Sequence, residues 1–223
     1  KRAEHIPLQH LTGVQEFMGL EFHVNEHVLI PRQDTEILVE TALEKIKEIS
    51  NPVSLLDMCT GSGCIVLSIL YYMKNKKQIT GTGVDISDKA LEVAIENAKS
   101  LDLSVNFLQS DLFDKITDKY SIIVSNPPYI RSDVIKTLQE EVREHDPMLA
   151  LDGMEDGLYF YRKIISESKK YLQADGYLIF EIGHDQGLDV SNMMKDTGFR
   201  DVLIKKDLAG LDRVVLGVYD TKR

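Results

Sequence analysis

Residues 53–63 read VSLLDMCTGSG. An apolar run from Val53 to Met58 carries one carboxylate, Asp57, and gives way at once to a loop holding Gly61 and Gly63. Near-continuous apolarity marks a strand covered on both faces, as in a parallel sheet, rather than the alternation of a strand with one wet face. The loop then enters the apolar stretch CIVLSILYYM, and residues 62–74 read as a buried helix. Outward from this unit the same order repeats. ITGTGVD (79–85) is a second strand and ends on Asp85. Residues 87–101 form a helix with Leu91, Ala94, Ile95, Ala98 and Leu101 on one face, opened by Ser87 as N-cap. SVNFLQ (104–109) is a third strand, followed by Asp111, and YSIIVSN (120–126) a fourth. A helix over 155–172, a fifth strand GYLIFEI (176–182) and a helix near 186–197 precede two last strands at 199–206 and 213–219.

Strands alternating with helices imply crossovers and an α/β fold. The last two strands are joined by DLAGLD (207–212), too short for a crossover helix, so that pair is antiparallel. The expectation is a seven-stranded, mostly parallel sheet with an antiparallel last strand. Ahead of it, Phe22, Val24, Val28 and Ile30 alternate around Asn25 and Glu26, which reads as a small N-terminal β-hairpin within 14–30. From Asp34, the residues Ile37, Leu38, Ala42, Leu43, Ile46 and Ile49 recur at helical spacing, with Asp34 and Glu36 at the positive end.

The 223 residues, 43% hydrophobic, suit one α/β domain with a sizeable core. A net charge of −10 weighs against non-specific binding to a phosphate backbone. The two cysteines, Cys59 and Cys64, match neither a redox pair nor a zinc knuckle and read as reduced thiols of a cytoplasmic protein. No apolar stretch approaches the roughly 20 residues of a membrane span, and no signal peptide is visible. The chain begins at Lys1 without Met and is read as a fragment. His23 and His27 fall on opposite sides of the expected turn, so no metal site is expected.

In an open α/β sheet, ligands bind at the carboxyl ends of the strands. Gly61 and Gly63 make the turn there, and Asp85 follows roughly 20 residues later, where a carboxylate can hold both hydroxyls of a ribose. Asp111 can accept the exocyclic amine of an adenine. The dinucleotide pattern G-x-G-x-x-G fails at Val66, and no P-loop is present. Adenosine held by carboxylates without a phosphate cradle points to S-adenosylmethionine, whose positive sulfonium suits acidic surroundings.

SNPPYI (125–130) follows the fourth strand and so lies on the same rim. Its prolines lack backbone donors and fix φ, and Pro127 biases Asn126 to an extended conformation. A planar –NH2 group can donate to the Asn126 side-chain oxygen and the Pro127 carbonyl, under the flat face of Tyr129. Such a ledge orients the nitrogen towards the methyl donor and stabilises the charge that develops on it. The motif alone leaves open whether the amine belongs to a base or to a glutamine. Glu181 ends the fifth strand on this rim and is read as structural support. EDGLYFYRKII (155–165) reads as a core-facing helix and LQEEVREHD (138–146) as a solvated segment.

Six stretches together carry a resemblance: IPLQHLTGVQEFMGLEF (6–22), VLIPRQDTEILVE (28–40), LLDMCTGSGCI (55–65), SNPPYI (125–130), LDGMEDGL (151–158) and DLAGLDRVV (207–215). The chain resembles the Rossmann-like class I S-adenosylmethionine-dependent methyltransferases, and among them the HemK/PrmC-type protein-(glutamine-N5) methyltransferases. NPPY is shared with amino-methylating DNA enzymes. IPRQDTE separates this group from the ribosomal-protein glutamine methyltransferases. The resemblance implies methylation of the GGQ glutamine of peptide chain release factors, with S-adenosylhomocysteine as product and an effect on translation termination. It implies that Cys59, Thr60, Gly61, Ser62 and Gly63 wrap the methionine part of the cofactor. Asp85 would bind the ribose, and Asp111 and Leu112 would lie at the adenine. Asn126 would touch both cofactor and substrate. Pro127, Pro128 and Tyr129 would shape the glutamine slot, with Asn126, Pro127 and Tyr129 as the catalytic set.

The chain departs from the family pattern at Cys59 and Met154, where glycine is common. Family members carry an N-terminal helical domain. Residues 1–33 are therefore expected to be a lead-in segment with the hairpin, left from the linker to that domain, and residues 34–223 the methyltransferase domain. A cytoplasmic monomer without membrane or direct nucleic-acid contact is expected. The alternative is a DNA adenine-N6 or other amino-group methyltransferase; a DNA enzyme would have to flip a base and hold a duplex, for which a short acidic chain offers little.

Overall fold

The computed structural model of the chain describes residues 6–50 and 52–220. Residues 1–5 of the expected lead-in segment, and 51 and 221–223 of the expected domain, lie outside the described residues. Strands β1 (Val14–Phe17) and β2 (Leu20–His23) pair as a hairpin. The main sheet is built from β3 (Val53–Met58), β4 (Ile79–Asp85), β5 (Asn106–Gln109), β6 (Tyr120–Ser125), β7 (Leu172–Glu181), β8 (Phe199–Lys206) and β9 (Asp212–Tyr219). Its order is β5-β4-β3-β6-β7-β9-β8. The last strand, β9, runs antiparallel to both neighbours, and the other pairs are parallel.

The register of β3 builds the layers. Successive side chains of a strand point to opposite faces. Leu55 joins one core with Leu38, Ala42 and Ile46 of α2 (Glu36–Glu48) and Val66, Leu67 and Ile69 of α3 (Cys64–Met73). Leu56 and Met58 join the other, with Tyr161 and Ile164 of α8 (Tyr159–Ser168) and Val190 and Met194 of α9 (Gly187–Asp196). Leu55, Leu56 and Met58 are all fully buried, and each contributes about 1.5–3 kcal/mol by leaving water. On the flank, α4 (Asp88–Ser100) starts where expected, with the Ser87 hydroxyl oxygen accepting the Ala90 N–H at 3.2 Å.

The hairpin is present, but its turn lies at Met18–Gly19, not at Asn25–Glu26. Both turn residues have positive φ, +53° and +68°, as a two-residue hairpin loop matched to strand twist requires. The usual signal is Asn-Gly, and a methionine in the first place conceals it. Val24, Val28 and Ile30 lie beyond β2 and are buried there. The helix expected over 155–172 is shorter, and β7 begins at Leu172. Four short helices had no counterpart in the sequence reading: α1 (Leu8–Thr12), α5 (Ser132–Ile135), α6 (Glu140–His145) and α7 (Met148–Leu151). Each is too brief to show a helical period.

From β3 the chain moves outward through β4 to β5, and from β6 it moves the other way to β7. The adjacent carboxyl ends of β3 and β6 are therefore the switch point, where diverging connections leave a crevice. Met58 and Ser125 are register partners there, and the Ser125 hydroxyl donates to the Met58 carbonyl at 2.7 Å.

Candidate active site

The crevice is a cavity of about 320 Å³. One wall is the loop after β3, which is held from below and from the side. Asp57, fully buried, accepts the Thr60 hydroxyl at 2.6 Å and the Val66 N–H at 3.3 Å on Oδ2. Its Oδ1 is buried without a hydrogen bond, and burial pushes the acid up to about 7. The turn needs left-handed backbone at Cys59 (φ +61°) and Gly61 (φ +54°). A glycine takes this without cost, whereas Cys59 is strained by about 1–2 kcal/mol. Its thiol is held well above the ordinary value by burial, and that of Cys64 is pushed up to about 12 for the same reason.

Asp85, at the end of β4, fixes the loop from the side. Its Oδ2 accepts the Gly61 N–H at 2.9 Å and its Oδ1 the Ser87 N–H at 3.0 Å. Burial raises its pKa, and the backbone donors of Ser87 and Gly61 pull against that. The Thr60 N–H is engaged by the Val84 carbonyl at 2.9 Å and the Gly63 N–H by the Thr60 carbonyl at 2.8 Å. The N–H groups of Thr60, Gly61 and Gly63 are thus engaged by acceptors of the protein itself and are not presented to an anion. Each Asp85 oxygen retains acceptor capacity. Asp111 and Leu112 (φ +45°) line the cavity beyond β5, together with Ser110 and Ile86.

The facing wall comes from the stretch after the hairpin: His27, Val28, Leu29, Pro31, Arg32 and Thr35 line the cavity. Asn126 and Pro128 close it at the end of β6. Pro127 and Tyr129 are not among its lining residues. Pro127 is buried. Tyr129 packs its ring on one core and sends its hydroxyl to Glu181 Oε1 at 3.4 Å. Asn126 Nδ2 donates to the Thr35 hydroxyl oxygen at 3.4 Å. Among the described residues, no hydrogen bond reaches Asn126 Oδ1 or the Pro127 carbonyl. Of these two residues, Asn126 lines the cavity.

The separated sequence motifs meet at this ledge. In LDGMEDGL, the Gly153 N–H donates to the Ile130 carbonyl at 2.8 Å, and the Ile130 N–H to the Leu151 carbonyl at 3.0 Å. A Cβ on Gly153 would stand 2.7 Å from Tyr129 Cα, so only glycine lets the two backbones approach this closely. Gln186 Nε2 donates to the Tyr129 carbonyl at 3.0 Å. Met154 lines the cavity in left-handed backbone, φ +70°. Arg213 of DLAGLDRVV reaches Asp34 of IPRQDTE and Asp207, each at 3.1 Å. Arg32 pairs with the buried Asp146 at 2.8 Å.

The sequence reading passed over Asp57 as a functional support and gave Thr35 no role. A carboxylate inside an otherwise apolar strand was the available signal for Asp57. Glu181 is 2% exposed, and burial pushes its acid up to about 7. His23 Nε2 lies 3.2 Å from Ser100 Oγ, and His27 lies 3.8 Å from Glu26. Among the described residues, no group of three or more His, Cys, Asp or Glu side chains is gathered as metal ligands would be.

The donor set fits S-adenosylmethionine. Asp85 offers acceptors for ribose hydroxyls, Asp111 lies beyond it for an amine, the loop offers no phosphate cradle, and the walls of the cavity are largely apolar. Fold and site define a class I S-adenosylmethionine-dependent methyltransferase. The family described as Methyltransferase small domain matches residues 33–154. A release factor glutamine methyltransferase of Clostridium acetobutylicum is 46% identical over 222 residues, 97% of this chain and 76% of that protein. The solved protein-(glutamine-N5) methyltransferase (release factor-specific) of Alicyclobacillus acidocaldarius is 30% identical, with a TM-score of 0.53 over 89% of this chain and 99% of that one. A 16S rRNA methyltransferase of Thermus thermophilus shares the fold, at 15% identity and a TM-score of 0.65 over 92% of this chain and 49% of its own. The chain belongs to the release factor glutamine methyltransferase family.

Proposed function

We propose that the protein transfers the methyl group of S-adenosylmethionine to the side-chain amide nitrogen of the GGQ glutamine of peptide chain release factors, and so modulates translation termination. The observation that carries this reading is Asn126 on the wall of the cavity that the Asp85 loop also lines, with no protein donor among the described residues on its side-chain oxygen. When bound, S-adenosylmethionine supplies an electrophilic methyl group that leaves its bonding pair on sulfur. In this reading Cys59, Thr60, Gly61, Ser62 and Gly63 border its methionine part, Asp85 takes the ribose hydroxyls, and Asp111 and Leu112 flank the adenine. Asn126 and the Pro127 carbonyl accept the two amide N–H bonds, which points the nitrogen and fixes the planar group. The same acceptors stabilise positive charge as it builds on nitrogen, and once the N–C bond has formed the nitrogen is acidic and releases one proton to water. Pro128 and Tyr129 stiffen and floor the slot.

The domain assignment belongs to this reading: residues 34–223 carry out the transfer, and 1–33 lead into them. The protein acts as a cytoplasmic monomer without direct nucleic-acid binding. No helix among the described residues is long and apolar enough to cross a membrane. The test is incubation with methyl-labelled cofactor, a GGQ-bearing release factor and an adenine-containing duplex in one reaction. Label in the release factor supports the reading; label in the duplex alone overturns it in favour of a DNA amino-methyltransferase.

A further inference from the structure

Gln186, immediately before α9, is 8% exposed, and its side-chain amide is fully engaged. Its Oε1 accepts the Gly183 N–H at 3.0 Å. Its Nε2 donates to the Tyr129 carbonyl at 3.0 Å and to the Gly157 carbonyl at 3.2 Å. A carbonyl only accepts and a backbone N–H only donates, so the amide fits one way round. Its backbone N–H closes a turn to the Gly183 carbonyl at 2.9 Å, and its carbonyl takes the Val190 N–H at 3.0 Å, which roots it in α9. Three segments distant in sequence thus meet on one buried amide: SNPPYI, LDGMEDGL and the loop after β7. Glycines make the room. A Cβ on Gly157 would stand 2.5 Å from the Tyr129 carbonyl oxygen and 2.8 Å from Gln186 Nε2, and one on Gly183 would stand 3.0 Å from Gln186 Oε1. Gln186 itself does not line the cavity, but both rim segments it ties together do: Asn126 and Pro128 from one, Met154 from the other.

We propose that Gln186 is a positioning residue: it fixes the far end of the SNPPYI ledge, and with it the place of Asn126, against the Met154 wall. Its catalytic meaning rests on the proposed glutamine transfer. The ledge is pinned at its start, where the Ser125 hydroxyl donates to the Met58 carbonyl at 2.7 Å. Gln186 pins its end at Tyr129. The two prolines between have fixed φ, so a displaced Tyr129 carries Asn126 with it. Backbone bonds join the residues further on: the Ile130 N–H to the Leu151 carbonyl at 3.0 Å, the Gly153 N–H to the Ile130 carbonyl at 2.8 Å and the Ser132 N–H to the Met154 carbonyl at 3.1 Å. These three lie beyond the ledge, and none of them holds Tyr129 or Gly157. A buried amide with all its bonds made sets one geometry. An apolar residue of the same length leaves two carbonyls and an N–H without this partner, at a cost for each, and frees both segments to shift. The spacing of the two walls decides where an amide nitrogen rests relative to the methyl donor, and small misplacements there are costly.

The experiment compares Gln186→Met, Gln186→Glu, Asn126→Ala and the double variant Gln186→Met/Asn126→Ala with the wild type, well below the melting temperature of the least stable. Methionine keeps the length and removes every polar group. Glutamate keeps the oxygen for Gly183 and removes the amide donors, so it isolates the hold on Tyr129 and Gly157. Transfer to a GGQ release factor gives kcat and KM, and equilibrium dialysis gives cofactor affinity. Both single variants at 186 are expected to lower kcat roughly tenfold or more, with cofactor affinity within about twofold of wild type. A residue that acts through the ledge has little left to lose once Asn126 is gone. In the Asn126→Ala background, Gln186→Met should therefore cost no more than about threefold. Wild-type kcat in Gln186→Met or Gln186→Glu, or a full tenfold loss added on top of Asn126→Ala, would overturn the assignment. Amide hydrogen exchange without substrate separates it from the function on which it rests. The Ile130 and Gly153 amides should exchange faster in Gln186→Met, and those of Thr60 and Gly63 in the cofactor loop should be unchanged. Unaltered exchange at Ile130 and Gly153 sinks the proposed hold on the two segments. A wild type that labels no release factor sinks the proposed transfer, and the exchange rates still decide whether Gln186 holds the ledge.

Discussion

Glu181→Gln carries a thermodynamic consequence whose size follows from the site. The carboxyl sits at 2% exposure with one oxygen lacking any hydrogen bond, and burial raises its pKa from the ordinary 4.5 to about 7. The folded protein therefore holds this proton more tightly than the unfolded chain does. Stability is greatest below the unfolded value and falls as pH rises from about 4.5 to about 7, because ionising the buried acid is costly. The gap corresponds to about 3 kcal/mol once the group is fully ionised. Glutamine keeps the shape and has nothing to ionise. Relative to wild type, Glu181→Gln should gain roughly 2–3 kcal/mol between pH 5 and pH 8, whatever its offset at pH 5. Asp57 is also pushed up to about 7 but is common to both proteins and cancels in the difference. Urea unfolding of both proteins at several pH values measures it, with m compared to confirm that the same surface is exposed. A difference that stays constant from pH 5 to pH 8 would mean that Glu181 ionises in the fold as readily as in water.

Other parts of the site give separate expectations. Asn126→Ala should lower kcat roughly 100-fold through lost orientation and charge stabilisation, while cofactor affinity by calorimetry changes little. Asp85→Ala should weaken cofactor affinity roughly 10–100-fold, since charged hydrogen bonds are lost and the Gly61 N–H loses its partner; an unaltered Kd contradicts the ribose assignment. Gly153→Ala forces a Cβ to 2.7 Å from Tyr129 Cα, so overpacking of roughly 1–3 kcal/mol should appear in the melting curve together with a fall in kcat. Met154→Gly relieves left-handed strain at φ +70° and should raise stability by roughly 0.5–1 kcal/mol after the entropy cost of glycine, read as a higher Tm.

The main sheet could be read from the sequence because burial on both faces writes itself as apolar runs. VSLLDM and ITGTGVD match β3 and β4 residue for residue. The antiparallel last strand followed from the length of one connection. Turn chemistry was less legible: Met18 takes a conformation that asparagine or glycine would have advertised. The short helices α5, α6 and α7 are shaped by tertiary contact, not by a repeating apolar face. In the site, Asp85, Asp111, Gly61 and Asn126 were visible because strand ends in this topology converge. Thr35 was not, since a single threonine in a helix-entry segment carries no period and no charge. Its meaning comes from a contact with Asn126 across 91 residues of chain. Glu181 was visible on the rim, but its burial and unpartnered oxygen belong to the packed structure.

The methyl group goes to one amide nitrogen of a release factor. Peptide mapping by mass spectrometry of a release factor incubated with the protein and S-adenosylmethionine tests it most directly. A single added methyl is expected on the glutamine of GGQ, absent when Asn126→Ala replaces the wild type under the same conditions. A methyl found on another residue, or an unmodified release factor beside a methylated nucleic acid, would contradict it.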